Sequence, residues 1–158
     1  MIERSMLHQK ISDNLKEAMK AGQEFEVGVF RFLLSSLHNK EIEKKGKGLE
    51  PVLSDDEVIE VLIKEAKKRK ESIGAYTKGA REDLAEKEKR ELEIIKKYLP
   101  EELGAEEIEK IVKAAIEKTS RHEIKDFGRV MAEAMKELKG KADASLVSEI
   151  TKKNLEHE

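Results

Sequence analysis

Apolar residues recur along this chain at intervals of three and four, between runs of Lys and Glu, and that spacing predicts helices from end to end. Leu7, Ile11, Leu15 and Ala18 form a first stripe, which Ser5 can cap and Gly22 ends. A second helix, from about Glu24 to Lys45, carries Val27, Val29, Phe30, Phe32, Leu33, Leu34 and Leu37. These cover more than half its circumference, as expected of the central helix of a bundle. Gly46, Gly48 and Pro51 break the pattern into a loop. Ser54 and Glu57 make a capping box for a long third helix, whose stripe is Val58, Val61, Leu62, Glu65, Ala66, Arg69, Ile73 and Tyr76. Its change to polar residues at Glu65 and Arg69 predicts that the far end leaves the core before Gly79. A fourth helix holds Leu84, Leu92, Ile95 and Leu99 and must stop before Pro100.

Pro100 is the best domain boundary. Beyond it, Ile108, Ile111, Val112 and Ala115 mark a fifth helix, and Ile124, Phe127, Met131, Ala134 and Leu138 a sixth. Gly140 is a natural C-cap, because glycine takes the left-handed conformation without a Cβ penalty. Asp143 can cap the seventh helix, whose apolar face is Leu146, Val147 and Ile150. The expected fold is all-α. Residues 1–99 form an N-terminal helical bundle of about four helices, and residues 100–158 a small C-terminal three-helix domain. A unit of roughly 50 residues buries little core and would be marginal alone.

Composition narrows the chemistry. With 42% charged residues, 4% aromatics and two prolines, the chain suits long solvated helices rather than a β-sandwich. It has no cysteine, so disulfides, thiolate metal sites and thiol nucleophiles are excluded. His8, His38, His122 and His157 have no i, i+4 histidine partner, which argues against a histidine metal site. No phosphate-binding loop or nucleophile elbow is present, and the carboxylates fall on charged faces without an apolar pocket. No catalytic residue, metal or cofactor is expected. Nor is a membrane span or an N-terminal signal segment, so the default address is cytoplasmic.

Net charge is −2, so nucleic-acid contact would need local clustering. One cluster is Lys64, Lys67, Lys68, Arg69 and Lys70. It suits either phosphate contact or pairing with Glu60, Glu65 and Glu71 along a solvated face. The second is Lys125, Arg129, Lys136, Lys139, Lys141, Lys152 and Lys153, diluted by Glu133 and Glu137. An anion at the Gly140 turn could meet its lysines together with the N–H groups of the next helix start. Lysine binds phosphate as a point charge, so such a surface would read backbone and shape, not base sequence. Tyr76 and Tyr98 sit at core spacings and are expected to pack rather than stack on bases. Gly128 fits close helix packing first, and close approach by RNA or a partner second. Arg31 and Asn39 are candidates for buried bridges to the third or fourth helix, and His38 for an ordinary surface residue.

KDFGRVM followed by KGKADASLV, between Lys125 and Val147, resembles the signature of the GatB/YqeY family. This family comprises small proteins similar to the tail domain of the B subunit of the tRNA-dependent glutamine amidotransferase. FRFLLSSLHNKEIEKKG (Phe30–Gly46), EAKKRKESIGAYTKGAREDLAEKE (Glu65–Glu88) and YLPEELGAEEI (Tyr98–Ile108) resemble its pattern in order, over about Leu7 to Leu155. The chain departs from it at Gly104, where the family usually has a serine cap, and at Ala144, where glycine is frequent. The resemblance implies two all-α parts and a role near tRNA. It also implies an association with carbon–nitrogen ligase activity using glutamine as amido donor, whose catalytic part is missing from this chain. Partners expected on that basis are tRNA and an amidotransferase or aminoacyl-tRNA synthetase. The candidate contacts are Lys125, Arg129, Lys136, Lys139, Lys141, Lys152, Lys67, Lys68 and Arg69. The alternative is a non-catalytic adaptor whose helices dock on a partner protein.

Overall fold

A computed structural model describes residues 3–119 and 123–156. Every regular element among them is helical, and the chain divides into two compact units, Met1–Leu99 and Pro100–Glu158.

Unit 1 contains α1 (Met6–Lys20), α2 (Glu24–Gly46), α3 (Asp55–Lys78) and α4 (Glu82–Lys96). The Ser5 hydroxyl accepts the His8 N–H and starts α1. The Asp55 carboxylate takes the Leu7 N–H at 2.9 Å, tying the first turns of α1 and α3 together. At α3 the capping box is complete: Ser54 accepts from Glu57 N–H, and the Glu57 carboxylate accepts from Ser54 N–H. Lys44 fastens that box to the end of α2, donating to Glu57 at 2.8 Å and to the Val52 carbonyl. Between these anchored ends, Ile11, Leu33, Leu37, Val58, Leu62 and Ile95 are sealed from solvent. Tyr98 closes the bottom, edge-on to Phe30 and hydrogen-bonded to Asn14.

The far end of α3 does leave the core, since no residue of the helix after Arg69 is buried, but its polar positions are not where it turns outward. Glu65 and Arg69 are buried, at 4% and 7% exposure. Arg69 Nη1 donates to the Glu65 carboxylate at 2.9 Å, and Nε donates to Glu91 of α4 at 3.1 Å. Ser36 of α2 donates to the same Glu65 at 3.4 Å. The stripe therefore stays buried as far as Arg69, with its charges neutralised in place, and Ile73 and Tyr76 beyond it are half-buried. Arg31 and Asn39 are both exposed and bridge nothing inside. Phe32, expected in the core, is 48% exposed. The corner between α3 and α4 places Ala80 at φ 56, so that Arg81 N–H reaches back to the Tyr76 carbonyl.

Unit 2 contains α5 (Ala105–Thr119), a 3-10 turn (Ile124–Asp126), α6 (Phe127–Leu138) and α7 (Ala144–Glu156). Its core is Ile108, Val112, Ile116, Val130, Ala134, Leu138, Val147 and Leu155, with Phe127 and Met131 packed against it. Val130 is fully buried and centres the α6 stripe, whereas Ile124, expected in that stripe, is half exposed in the 3-10 turn. At Gly104 only half a capping box survives, the Glu107 carboxylate reaching the Gly104 N–H at 3.4 Å. Gly140 takes φ 79, which closes α6, and the Leu103 N–H donates to the Lys141 carbonyl at 2.7 Å, pinning the turn.

Replacing Arg69 by Ala would leave the buried Glu65 with only the exposed Lys68 as counter-charge, and would part Glu91 from its partner. Urea unfolding should show a loss of about 3 kcal/mol or more. Ala80→Gly removes a Cβ from a left-handed position and should raise the unfolding free energy in the same measurement by up to about 1 kcal/mol.

Candidate nucleic-acid interface

The lysines and arginine singled out in the sequence divide by position. On α3, Arg69 is withdrawn from any nucleic-acid surface, because it is buried between Glu65 and Glu91. Lys68 is exposed and rests on Glu65 at 3.1 Å, while Lys67 is exposed with no ion pair among the described residues. With Lys64 and Lys70 also exposed, the cluster is four surface lysines spread around the helix over a buried ionic knot, rather than a basic stripe.

In unit 2 the candidates lie along α6. A helix turns 100° per residue, so the buried Val130, Ala134 and Leu138 put Arg129, Ala132 and Lys136 on the opposite side. All three are exposed, as are Lys125, Gly128 and Lys139. A Cβ added at Gly128 would meet nothing within 4 Å, which overturns the expectation that this glycine serves close helix packing. The outward face is therefore bare backbone between cations.

The acids lie to one side of that face. Glu133 turns toward α5, where it holds Lys118 at 2.6 Å and also takes Lys136 at 2.7 Å. Hydrogen bonds from these two ammonium groups hold its carboxyl well below the usual range, at about 2. Lys125 lies 2.7 Å from Glu123, and Lys152 stands over the Phe127 ring at 5.6 Å. Lys153 pairs with Glu149.

Lys125, Arg129 and Lys152 gather at the start of α6, while Lys139 and Lys141 sit at its end, about 18 Å away at 1.5 Å per residue. The structure does not bring them into one pocket. It strings them along a helix. The expected anion cradle at the start of α7 is also filled from within, since the Asp143 carboxylate accepts the Ser145 N–H at 2.8 Å. The sequence reading missed Ala132, which the 3.6-residue period would have placed beside Gly128. It missed Phe32 too, because an apolar residue in a strongly apolar helix gives no sign of facing outward.

Tyr98 is buried and Tyr76 half-buried, as packing residues should be. His38 is an exposed neighbour of Glu41, whose other oxygen stands 3.6 Å from the buried His8 Nδ1. Burial pushes the His8 imidazole down, with Arg4 adding to the effect and Glu41 opposing it. Among the described residues no group of three acidic or histidine side chains could hold a metal ion. No described helix is long and apolar enough to cross a membrane.

Two helical units, one with a cation-lined outer helix, define the class: a small all-α protein with a candidate polyanion surface. The chain belongs to the family of Yqey-like proteins, whose pattern it matches over residues 8–155. It is 37% identical over 91 residues to an uncharacterized protein of Schizosaccharomyces pombe, covering 58% of this chain and 70% of that one. It is also similar to the mitochondrial protein named Altered inheritance of mitochondria protein 41. In Lachancea thermotolerans the identity is 38%, over 56% of this chain and 46% of the relative. In Pyrenophora tritici-repentis it is 29%, over 88% and 75%. The match to the first of these two spans about half the relative's length.

Acid should weaken the α5–α6 clamp in a defined window. Because the folded-state carboxyl of Glu133 titrates below its unfolded value, its contribution is present above about 4.5 and lost as pH falls through about 2. Unfolding midpoints measured from pH ~5 down to ~2 should fall less steeply for Glu133→Gln than for the parent chain.

Proposed function

We propose that this chain is a tRNA-interacting accessory protein that meets the phosphate backbone along the outer face of α6. The observation that carries the reading is Arg129 and Lys136 flanking bare Gly128 and Ala132, with Lys125 and Lys139 at either end. Ribbon-like backbone can approach a helix closely only where side chains are small, and cations on either side then neutralise successive phosphates. Arg129 has no ion-pair partner among the described residues, the Lys125–Glu123 pair is solvent-exposed, and Lys136 is itself exposed, with Glu133 still held by Lys118 when Lys136 turns to phosphate. Membership of the Yqey-like family supports the same direction. Carbon–nitrogen ligase chemistry with glutamine belongs, on this reading, to a larger enzyme that the chain assists, an amidotransferase or an aminoacyl-tRNA synthetase. Its working compartment is then wherever that enzyme acts, the cytoplasm in a cell without organelles. The relatives named as mitochondrial make the organelle the alternative.

Binding should be electrostatic and indifferent to base sequence. Arg129→Gln and Lys136→Gln should each weaken tRNA binding and flatten the slope of log affinity against log salt by roughly 1 unit, with an unchanged circular dichroism spectrum. Fluorescence anisotropy across a salt series would measure this. Variants that bind tRNA as the parent does would remove the α6 reading and favour an adaptor that docks on protein, whose affinity depends far less on salt.

A further inference from the structure

One side of α2 carries chemistry that packing alone does not account for. Phe25, Gly28, Phe32 and Ser36 follow three- and four-residue spacing and share that side. Phe25 lies under Arg90, whose guanidinium carbon is 4.0 Å from the ring centroid. Two turns further on, Phe32 keeps 48% of its surface open. Behind its ring stands the guanidinium of Arg69, 4.9 Å from the centroid. Between the two rings Gly28 is bare, with open space where a Cβ would be. Glu65 and Glu91 hold Arg69 by Nη1 and Nε, so the group behind Phe32 is fixed, and its Nη2 has no hydrogen-bond partner among the described residues.

A phenylalanine this open invites an apolar partner, but its neighbours do not. Ser36 and Lys68 meet at Glu65 beside it, at 3.4 and 3.1 Å, and Arg31 next to it is exposed. An apolar helix laid on this side would have to desolvate those groups without satisfying them. A guanidinium from another protein could stack as Arg90 does on Phe25, yet Arg31, Lys68 and Arg69 against Glu65 and Glu91 already leave one positive charge in excess, to which it would add. A nucleobase offers the ring a flat π face, and its phosphate matches the cations around it.

We propose that Phe32 is a stacking platform for an unpaired base of single-stranded RNA. Arg69 acts as a positioning residue behind the ring, and Lys68 leaves Glu65 to meet the adjoining phosphate. The inference extends the RNA reading of α6 without requiring it, since it concerns unit 1 and a strand without duplex structure.

The chain has no tryptophan, so Phe32→Trp installs a single indole reporter at this position. Titrated with a short unstructured oligouridylate, the full-length variant should lose emission saturably as bases stack. Phe32→Ala should bind the same oligonucleotide about 10-fold more weakly by anisotropy, and Phe32→Tyr should bind it as the parent does. Arg129→Gln serves as the separating control. If it alone binds normally while Phe32→Ala fails, the platform stands whatever becomes of the α6 reading. Unchanged emission at saturating RNA, or parental affinity in Phe32→Ala, would overturn the proposal. So would a shift in sedimentation on Phe32→Ala with RNA affinity intact, which would assign the ring to contact with a second copy of the chain.

Discussion

The guanidinium of Arg69, held between Glu65 on its own helix and Glu91 on the next, is the constraint around which unit 1 is arranged. Three charges inside a small core are costly unless each finds its complement, and here two carboxylates face one arginine, with Lys68 and Ser36 completing Glu65 from the rim. The geometry admits one register of α3 against α4, because a slip by one residue would part Arg69 from Glu91. It also fixes what stands behind Phe32. A buried ion pair contributes little net stability compared with an apolar replacement. It does decide which side of α2 remains open and what chemistry is displayed there.

The two units solve the same problem of scarce apolar residues differently. Unit 1 uses long helices and buries charge where apolar side chains run out. Unit 2 uses shorter helices around an uncharged centre of Val112, Val130, Leu138 and Val147, with the buried Thr151 hydroxyl bonded to the Val147 carbonyl, and leaves its charges outside. Its polar tie is the Leu103 N–H to the Lys141 carbonyl, which fixes the Gly140 turn from within the unit. A turn pinned in this way holds Lys139 and Lys141 at a set distance from Arg129. Those cations suit an extended polyanion better than a compact ligand.

Much of the fold was legible because local rules were followed locally. Ser54 with Glu57, Gly140 with Asp143, and the stripe of Ile11, Leu15 and Ala18 each announce a helix boundary or face within a few residues of sequence. What could not be read depends on partners far away along the chain. Glu65 and Arg69 look like the end of a core until Glu91, 22 residues on, is brought beside them. Phe32 looks buried until its side of α2 proves to be half open. Gly128 looks like a packing contact until its surroundings prove open. The candidate lysines were visible as a composition, but their separation into a line along α6, and the loss of Arg69 to the interior, come from tertiary structure alone.

Helices adjacent in sequence pack as pairs: α1 on α2, α3 on α4, α5 on α6. Most native contacts are thus made between residues close along the chain, and loop closure removes little entropy before burial begins to reward it. Each hairpin can form as its second helix is completed, without waiting for a distant strand or terminus. Unit 1 is complete at Leu99, before the residues of unit 2 have been added during synthesis. A protein organised in this order spends little time with its apolar stripes exposed, which suits a chain whose central helix is apolar over more than half its circumference and whose surface is crowded with charge.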